Sequence, residues 1–106
     1  MTDQHPRRGE IWRYQPAINR PGICTTYLIV SADVFNTGDG PTEILAVQVV
    51  DTDPGSLVSP YVREHGWART LTIAPIMRSR LVEMLDVADH DTIEAVDVAM
   101  RAVLNL

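Results

Sequence analysis

Lysine is absent from this 106-residue chain, and all nine of its basic residues are arginine. A GC-rich genome accounts for an all-arginine set without invoking function; the functional alternative is bidentate recognition of phosphate or carboxylate. Cysteine is nearly absent as well. Cys24 stands alone, so no internal disulfide can form, and no second cysteine or histidine at ligand spacing outlines a zinc site. No apolar run approaches the roughly 20 residues that a membrane-spanning helix needs. Several signatures are missing: a glycine-rich phosphate loop, Gly-x-Ser-x-Gly, and His-Glu-x-x-His. Those absences set aside nucleotide-phosphate cradles, serine-hydrolase elbows and zinc-protease helices. There is no internal repeat, low-complexity tract or heptad register.

What is present is an ordinary globular composition, 45% hydrophobic and 22% charged. The length predicts one domain over residues 1–106, with a polar, loose tail over residues 1–6. Because the first ten residues lack a hydrophobic segment, a cytoplasmic location is the expectation. Charge is unevenly placed. Residues 1–80 balance arginines against acids, and the net charge of -5 sits in residues 81–106, where Arg101 faces Glu83, Asp86, Asp89, Asp91, Glu94 and Asp97. This argues against non-specific nucleic-acid binding by the whole surface but leaves room for an arginine-lined site in the first 80 residues.

The stretch 25–36 organises the chain. Its β-branched and aromatic residues predict a strand about nine residues long, ended by Ser31-Ala32-Asp33 and then Asn36 and a glycine-rich turn. Tyr27 and Ile29 lie on one face and Leu28 and Val30 on the other, which marks an interior strand covered on both sides. Residues 7–14 read as a first strand, and 15–24 as a loop broken by Pro16, Pro21 and Gly22. Residues 42–50 read as a buried strand, 51–56 as a turn, and 57–63 as a weaker strand demoted by Pro60. Then come a His65-Gly66 turn, a half-exposed strand over 70–76, a single helical turn over 78–81 and a short strand over 82–87. The core expected from these strands is Ile29, Val30, Leu45, Val47, Leu71 and Ile73.

Asp91 with Glu94 three residues on is a capping box, so a helix is predicted from Asp91. Its apolar stripe is Ile93, Val96, Met100, Val103 and Leu104. Several strands followed by one terminal helix make an α+β fold or small barrel rather than an alternating βαβ fold. His5, His65 and His90 have no neighbouring nucleophile at motif spacing and read as solvated or capping residues.

Two stretches carry a resemblance. Arg8-Gly9-Glu10-Ile11-Trp12 and the segment from Leu28 through Ser31-Ala32-Asp33 to Asn36 resemble the two best marks of the MazF/PemK family of toxins from type II toxin-antitoxin operons. Residues 41–50 fall where that family has its third main strand, and the segment from Arg80-Leu81 onward resembles its closing part. The resemblance implies a small SH3-like curved antiparallel β-barrel with a C-terminal helix, and a homodimer. It also implies sequence-specific cleavage of single-stranded RNA without metal or cofactor, and inhibition by an acidic antitoxin lying across the active groove. The related CcdB toxins share the fold but poison DNA gyrase, so a gyrase-directed binding toxin or a catalytically silent homologue is the alternative.

The family's ribonucleases place Arg-Pro ahead of the second strand and Thr or Ser at the end of the third. Here Thr25-Thr26 and Val49 hold those places. Charge on a pentacoordinate phosphorus needs a cation, and proton transfer needs titratable or hydroxyl groups. Arg20, five residues before Thr25, is the only cation in the loop between the first two strands. The resemblance therefore points to Arg20, Thr25 and Thr52 as catalytic candidates and to Arg13, Arg63 and Arg69 as substrate-binding ones. The chain ends Leu104-Asn105-Leu106, without the Trp-Gly-Ile ending that the CcdB family uses toward gyrase.

Overall fold

Apolar residues on both faces of successive strands demand cover on both sides, and the fold supplies it by curling one sheet. The computed structural model describes residues 5–18, 20–37 and 42–106. Strands β1 (Glu10–Tyr14), β2 (Thr26–Ile29), β3 (Glu43–Val50), β4 (Tyr61–Val62), β5 (Gly66–Met77) and β6 (Leu81–Val87) form one antiparallel sheet in the order β4-β5-β3-β2-β1-β6. A short helical turn, α1 (Asp33–Asn36), follows β2, a 3-10 turn (Arg78–Arg80) precedes β6, and the helix α2 (His90–Leu104) closes the chain. The result is a curled α+β half-barrel with a C-terminal helix, as expected, and β2 is an interior strand between β3 and β1.

Alternation divides the core in two. Ile11, Leu28, Val47, Val49 and Val62 point to one face, where Val96 of α2 joins them with Ile93 and Met100 packed alongside. Trp12, Ile29, Ile44, Ala46, Ile76 and Leu81 form a second cluster, against which Tyr14 and Tyr27 pack. Burying each of these larger side chains stabilises the fold by roughly 1.5–3 kcal/mol.

Bulges produce the curl. Opposite β3, Ala46 pairs with Ala74 but Gln48 pairs with Arg69, so the intervening part of β5 leaves the ladder. Thr72 Oγ1 accepts the Gln48 N–H at 2.9 Å in place of a backbone carbonyl. This corrects the expected core: Leu71, inside the bulge, is 64% exposed and Leu45 is 41% exposed, whereas Ile29, Val30 and Val47 are buried and Ile73 packs against the core.

Boundaries also differ from expectation: β1 begins at Glu10 and not at residue 7, and β5 begins at Gly66, which was expected in a turn, and not at residue 70. The organising strand ends at Ile29, because Val30 and Ser31 both donate their N–H to Leu45 O, at 3.0 and 3.2 Å, and the chain then turns into α1. The strand expected over 57–63 shrinks to Tyr61–Val62. Helix α2 is capped one half-turn earlier than Asp91. Asp89 is the N-cap and its carboxylate accepts the Thr92 N–H at 2.8 Å, which draws His90 and Asp91 into the helix. No helix among the described residues is long and apolar enough to cross a membrane.

The two stretches that carry the family resemblance meet in space. Arg8 donates its N–H to Asp33 Oδ1 at 2.7 Å and Gly9 donates to Ile29 O at 2.9 Å, while the Arg8 guanidinium pairs with Asp97 of α2. Buried Asn36 donates from its amide to Ser31 O at 2.8 Å and to Asp33 Oδ1 at 3.2 Å. These residues lock β1, α1 and α2 together, so the motifs specify architecture.

Candidate functional site

The loop over residues 15–25 and the end of β3 leave a groove of about 340 Å³ between them. Gly22, Cys24, Thr25, Val49, Asp51 and His65 are among the residues that line it. The loop reaches there because Tyr14 donates its N–H to Thr25 O at 2.7 Å, zipping its far end onto β1 just before β2 begins. Val49, in the place where the resemblance implies a hydroxyl, is buried in the core and offers no polar atom from its side chain.

Cys24 is half-buried. Its thiol donates to Thr26 O at 3.2 Å and lies 3.5 Å from Val49 O, bridging β2 and β3 at the groove floor. Burial pushes the thiol up from its ordinary value, which the Thr26 and Val49 carbonyl contacts and the positive charge of Arg69 only partly offset. Arg69, opposite Gln48 on β5, is thus a cation whose field reaches this floor. Deeper along the same edge, burial also raises the Tyr27 phenol, which meets Tyr14 edge-on at a 5.2 Å ring separation.

His65 is the groove residue that periodicity assigned to a turn. It sits at the tip of the β4-β5 hairpin, with its N–H bonded to Val62 O at 2.9 Å. Behind it a smaller cavity of about 90 Å³ is walled by Arg63, Glu64, Asp86, Asp89 and Thr92, and His65 belongs to both cavities. His65 Nε2 lies 2.9 Å from Asp86 Oδ2, and Asp86 Oδ1 accepts the Val87 N–H at 2.8 Å. Those two hydrogen bonds, the one from His65 first, hold the Asp86 carboxyl below the usual carboxylate range. The register shift between Ile11 and Trp12 delivers Asp86 here, since β6 bulges before resuming its pairing with β1.

Of the sequence-derived candidates, Thr25 lines the groove. Arg20 is exposed on the same loop, its carbonyl accepting the Ile23 N–H at 3.4 Å, and its side chain is not part of the groove wall. Thr52 is exposed in the turn after β3, where its hydroxyl donates to Asp51 Oδ1 at 3.3 Å. Arg13 is paired with Glu83 of β6 at 2.8 Å. Arg63 faces the smaller cavity. Among the described residues, Arg20, Arg63 and Arg69 make no ion pair. Also among them, no cluster of three or more His, Cys, Asp or Glu side chains is arranged to hold a metal ion.

By sequence, no family model and no curated protein matches the chain. By structure, a mycobacterial endoribonuclease superposes with a TM-score of 0.81 at 20% identity, covering 96% of this chain and 93% of the other. A mycobacterial endoribonuclease in complex with its cognate antitoxin superposes at 0.80 with 20% identity, covering 95% and 96%. The MazE-MazF complex of Deinococcus radiodurans gives 0.80 at 18% identity, covering 98% and 99%. Over nearly its whole length, the chain therefore has the fold of these proteins.

Proposed function

We propose that this protein is the toxin of a type II toxin-antitoxin pair and a sequence-specific endoribonuclease acting on single-stranded RNA in the cytoplasm. The observation that carries the reading is the end-to-end likeness to endoribonucleases, two of them solved with an antitoxin or MazE. The groove fits the reading chemically. It runs past the ends of β2 and β3, has a hydroxyl at Thr25, an imidazole at His65 and a cation's field from Arg69 at its floor. Phosphoryl transfer to a ribose 2′-hydroxyl asks for such a set: positive charge for the phosphorane oxygens and groups that move protons.

Arg20 supplies the principal charge in this reading, from the loop that forms one wall, with Thr25 and Thr52 as hydroxyls. Arg13, Arg63 and Arg69 bind the RNA backbone. An acidic antitoxin tail competes with RNA for these arginines, so its binding weakens as salt rises. The protein pairs as a homodimer, which covers part of the exposed apolar surface at Leu71, Met77, Val82 and Met84. The gyrase-directed alternative is set aside, since the structural relatives given above are ribonucleases.

The test is digestion of a long RNA of mixed sequence in EDTA. Wild type cleaves at a short recurring motif, and Arg20→Ala slows cleavage by about a hundred- to a thousand-fold, the usual loss on removing a main charge stabiliser. Cleavage that survives Arg20→Ala reassigns the cation. A wild type that cleaves none of a varied RNA set ends the ribonuclease reading.

A further inference from the structure

The groove's titratable side chains are Cys24, Asp51 and His65. The Cys24 thiol is committed to backbone carbonyls and Asp51 is exposed to solvent. His65 differs from both. Its side chain is only 19% exposed, and it is the wall shared by the groove and the smaller cavity behind. An ionised carboxylate can only accept, so the 2.9 Å contact to Asp86 Oδ2 places the ring proton on Nε2. In the neutral ring this tautomer leaves the lone pair on Nδ1, which has no hydrogen-bond partner among the described residues. Both members are held in place, His65 through its backbone N–H to Val62 O and Asp86 through Oδ1 to the Val87 N–H.

We propose that His65, oriented by Asp86, is the general base for RNA cleavage in this groove. The assignment rests on the ribonuclease reading above. Nδ1 takes the proton of a ribose 2′-hydroxyl as that oxygen bonds to the adjacent phosphorus. The bond from phosphorus to the 5′-oxygen breaks, and the departing oxygen takes a proton from water. The hydroxide so formed is neutralised by the proton on the imidazolium, which returns His65 to its starting state. The products are a 2′,3′-cyclic phosphate and a 5′-hydroxyl, with no net change in protons and no redox step. Asp86 is a positioning residue: it fixes the tautomer and faces the imidazolium with a negative charge. The dyad thus supplies proton transfer on a scaffold whose strand ends carry Thr25-Thr26 and Val49.

Charged and titratable groups line both cavities that the ring shares. Cys24 and Asp51 face it from the groove, Arg63 and Glu64 from the hairpin, and Asp86 and Asp89 from β6 and the start of α2.

The experiment measures kcat and KM for purified wild type, His65→Ala, Asp86→Asn and His90→Ala on the RNA that wild type cuts, with melting temperatures for each. His65→Ala lowers kcat by about 10²- to 10⁴-fold with little change in KM and regains activity with added imidazole. Asp86→Asn lowers kcat at least about tenfold without raising KM. His90→Ala, on an exposed side chain outside the groove, leaves cleavage unchanged. Wild-type cleavage with His65→Ala active to within about threefold overturns the dyad and leaves the ribonuclease reading intact. Loss of activity together with a lowered melting temperature and no imidazole rescue also overturns it, in favour of a structural role. A wild type that cleaves no RNA overturns both.

Discussion

Gly66 begins β5 immediately after His65, and replacing it with alanine isolates a backbone clash. A Cβ built there sits 2.0 Å from Val50 O and 2.8 Å from Val50 C, at a φ of +127°. Contact distance for such a pair is roughly 3.5 Å, so the carbonyl must retreat by about 1.5 Å. That carbonyl ends β3, where Val50 pairs with Trp67, and cannot yield without opening the ladder. Overpacking of this kind costs about 1–3 kcal/mol and a disfavoured backbone angle about 1–3 kcal/mol more. The expected sum, about 2–6 kcal/mol, is a large share of the roughly 5–15 kcal/mol that holds a domain folded. At about 4–6 °C per kcal/mol for a chain of this size, the melting temperature falls by on the order of 10–35 °C. Gly55→Ala is the control. Gly55 has φ +70° but nothing within 4 Å of the added carbon, so only the backbone term of about 1 kcal/mol applies. Urea melts of both variants read the difference, with unchanged slopes showing that the same surface unfolds. If Gly66→Ala melts within about 3 °C of Gly55→Ala, the clash with Val50 is not real.

Acid should unfold the protein through two carboxylates. Asp86, bonded by His65, and Asp89, capping α2 through the Thr92 N–H, both have folded-state values below their ordinary ones. Their stabilisation is therefore complete above about pH 4 and is lost as pH falls through the depressed values. Melting temperature against pH should drop below that point, and less steeply in the Asp86→Asn, Asp89→Asn double variant; equal slopes would refute the assignment. Cys24, raised by burial, should react with iodoacetamide more slowly than a free thiol at pH 8, the rate climbing only at higher pH; alkylation at the rate of a small-molecule thiol would contradict that burial.

Strand positions were legible because long β-branched runs leave few alternatives: residues 42–50 could hardly be anything but a buried strand, and Glu43–Val50 is what forms. Side-chain chemistry was less so. The nine-residue strand expected within 25–36 stops at Ile29, where Val30 and Ser31 share the Leu45 carbonyl and Asn36 folds back onto Ser31, partners for the backbone that propensity does not weigh. Asp91 was expected as the cap because Glu94 follows it at capping-box spacing, but Asp89, two residues after β6 ends, serves instead. Leu71 shares an alternation with Ile73 in sequence, yet the bulge facing Gln48 puts them in different surroundings. The site was the least readable. His65 and Asp86 belong to a hairpin tip and a bulged strand, and no local pattern announces that curling the sheet brings them within 2.9 Å. Thr25, taken from the place where the family pattern has a functional residue, lines the groove, whereas Arg20 and Thr52 are not among its lining residues.

The pairing of β1 with β6 has a consequence for biosynthesis. Glu10 lies opposite Val87 and Ile11 opposite Asp86, so one of the first strands to leave the ribosome is completed by the last. Closing so long a loop is entropically expensive and comes late, after β2, β3 and β5 have joined through shorter connections. The nascent chain therefore holds β1 with one edge open, and His65 waits without its carboxylate, until residues 81–87 have been made. On the dyad proposed above, a chain that stops short of Asp86 is inert toward the messenger it is being read from.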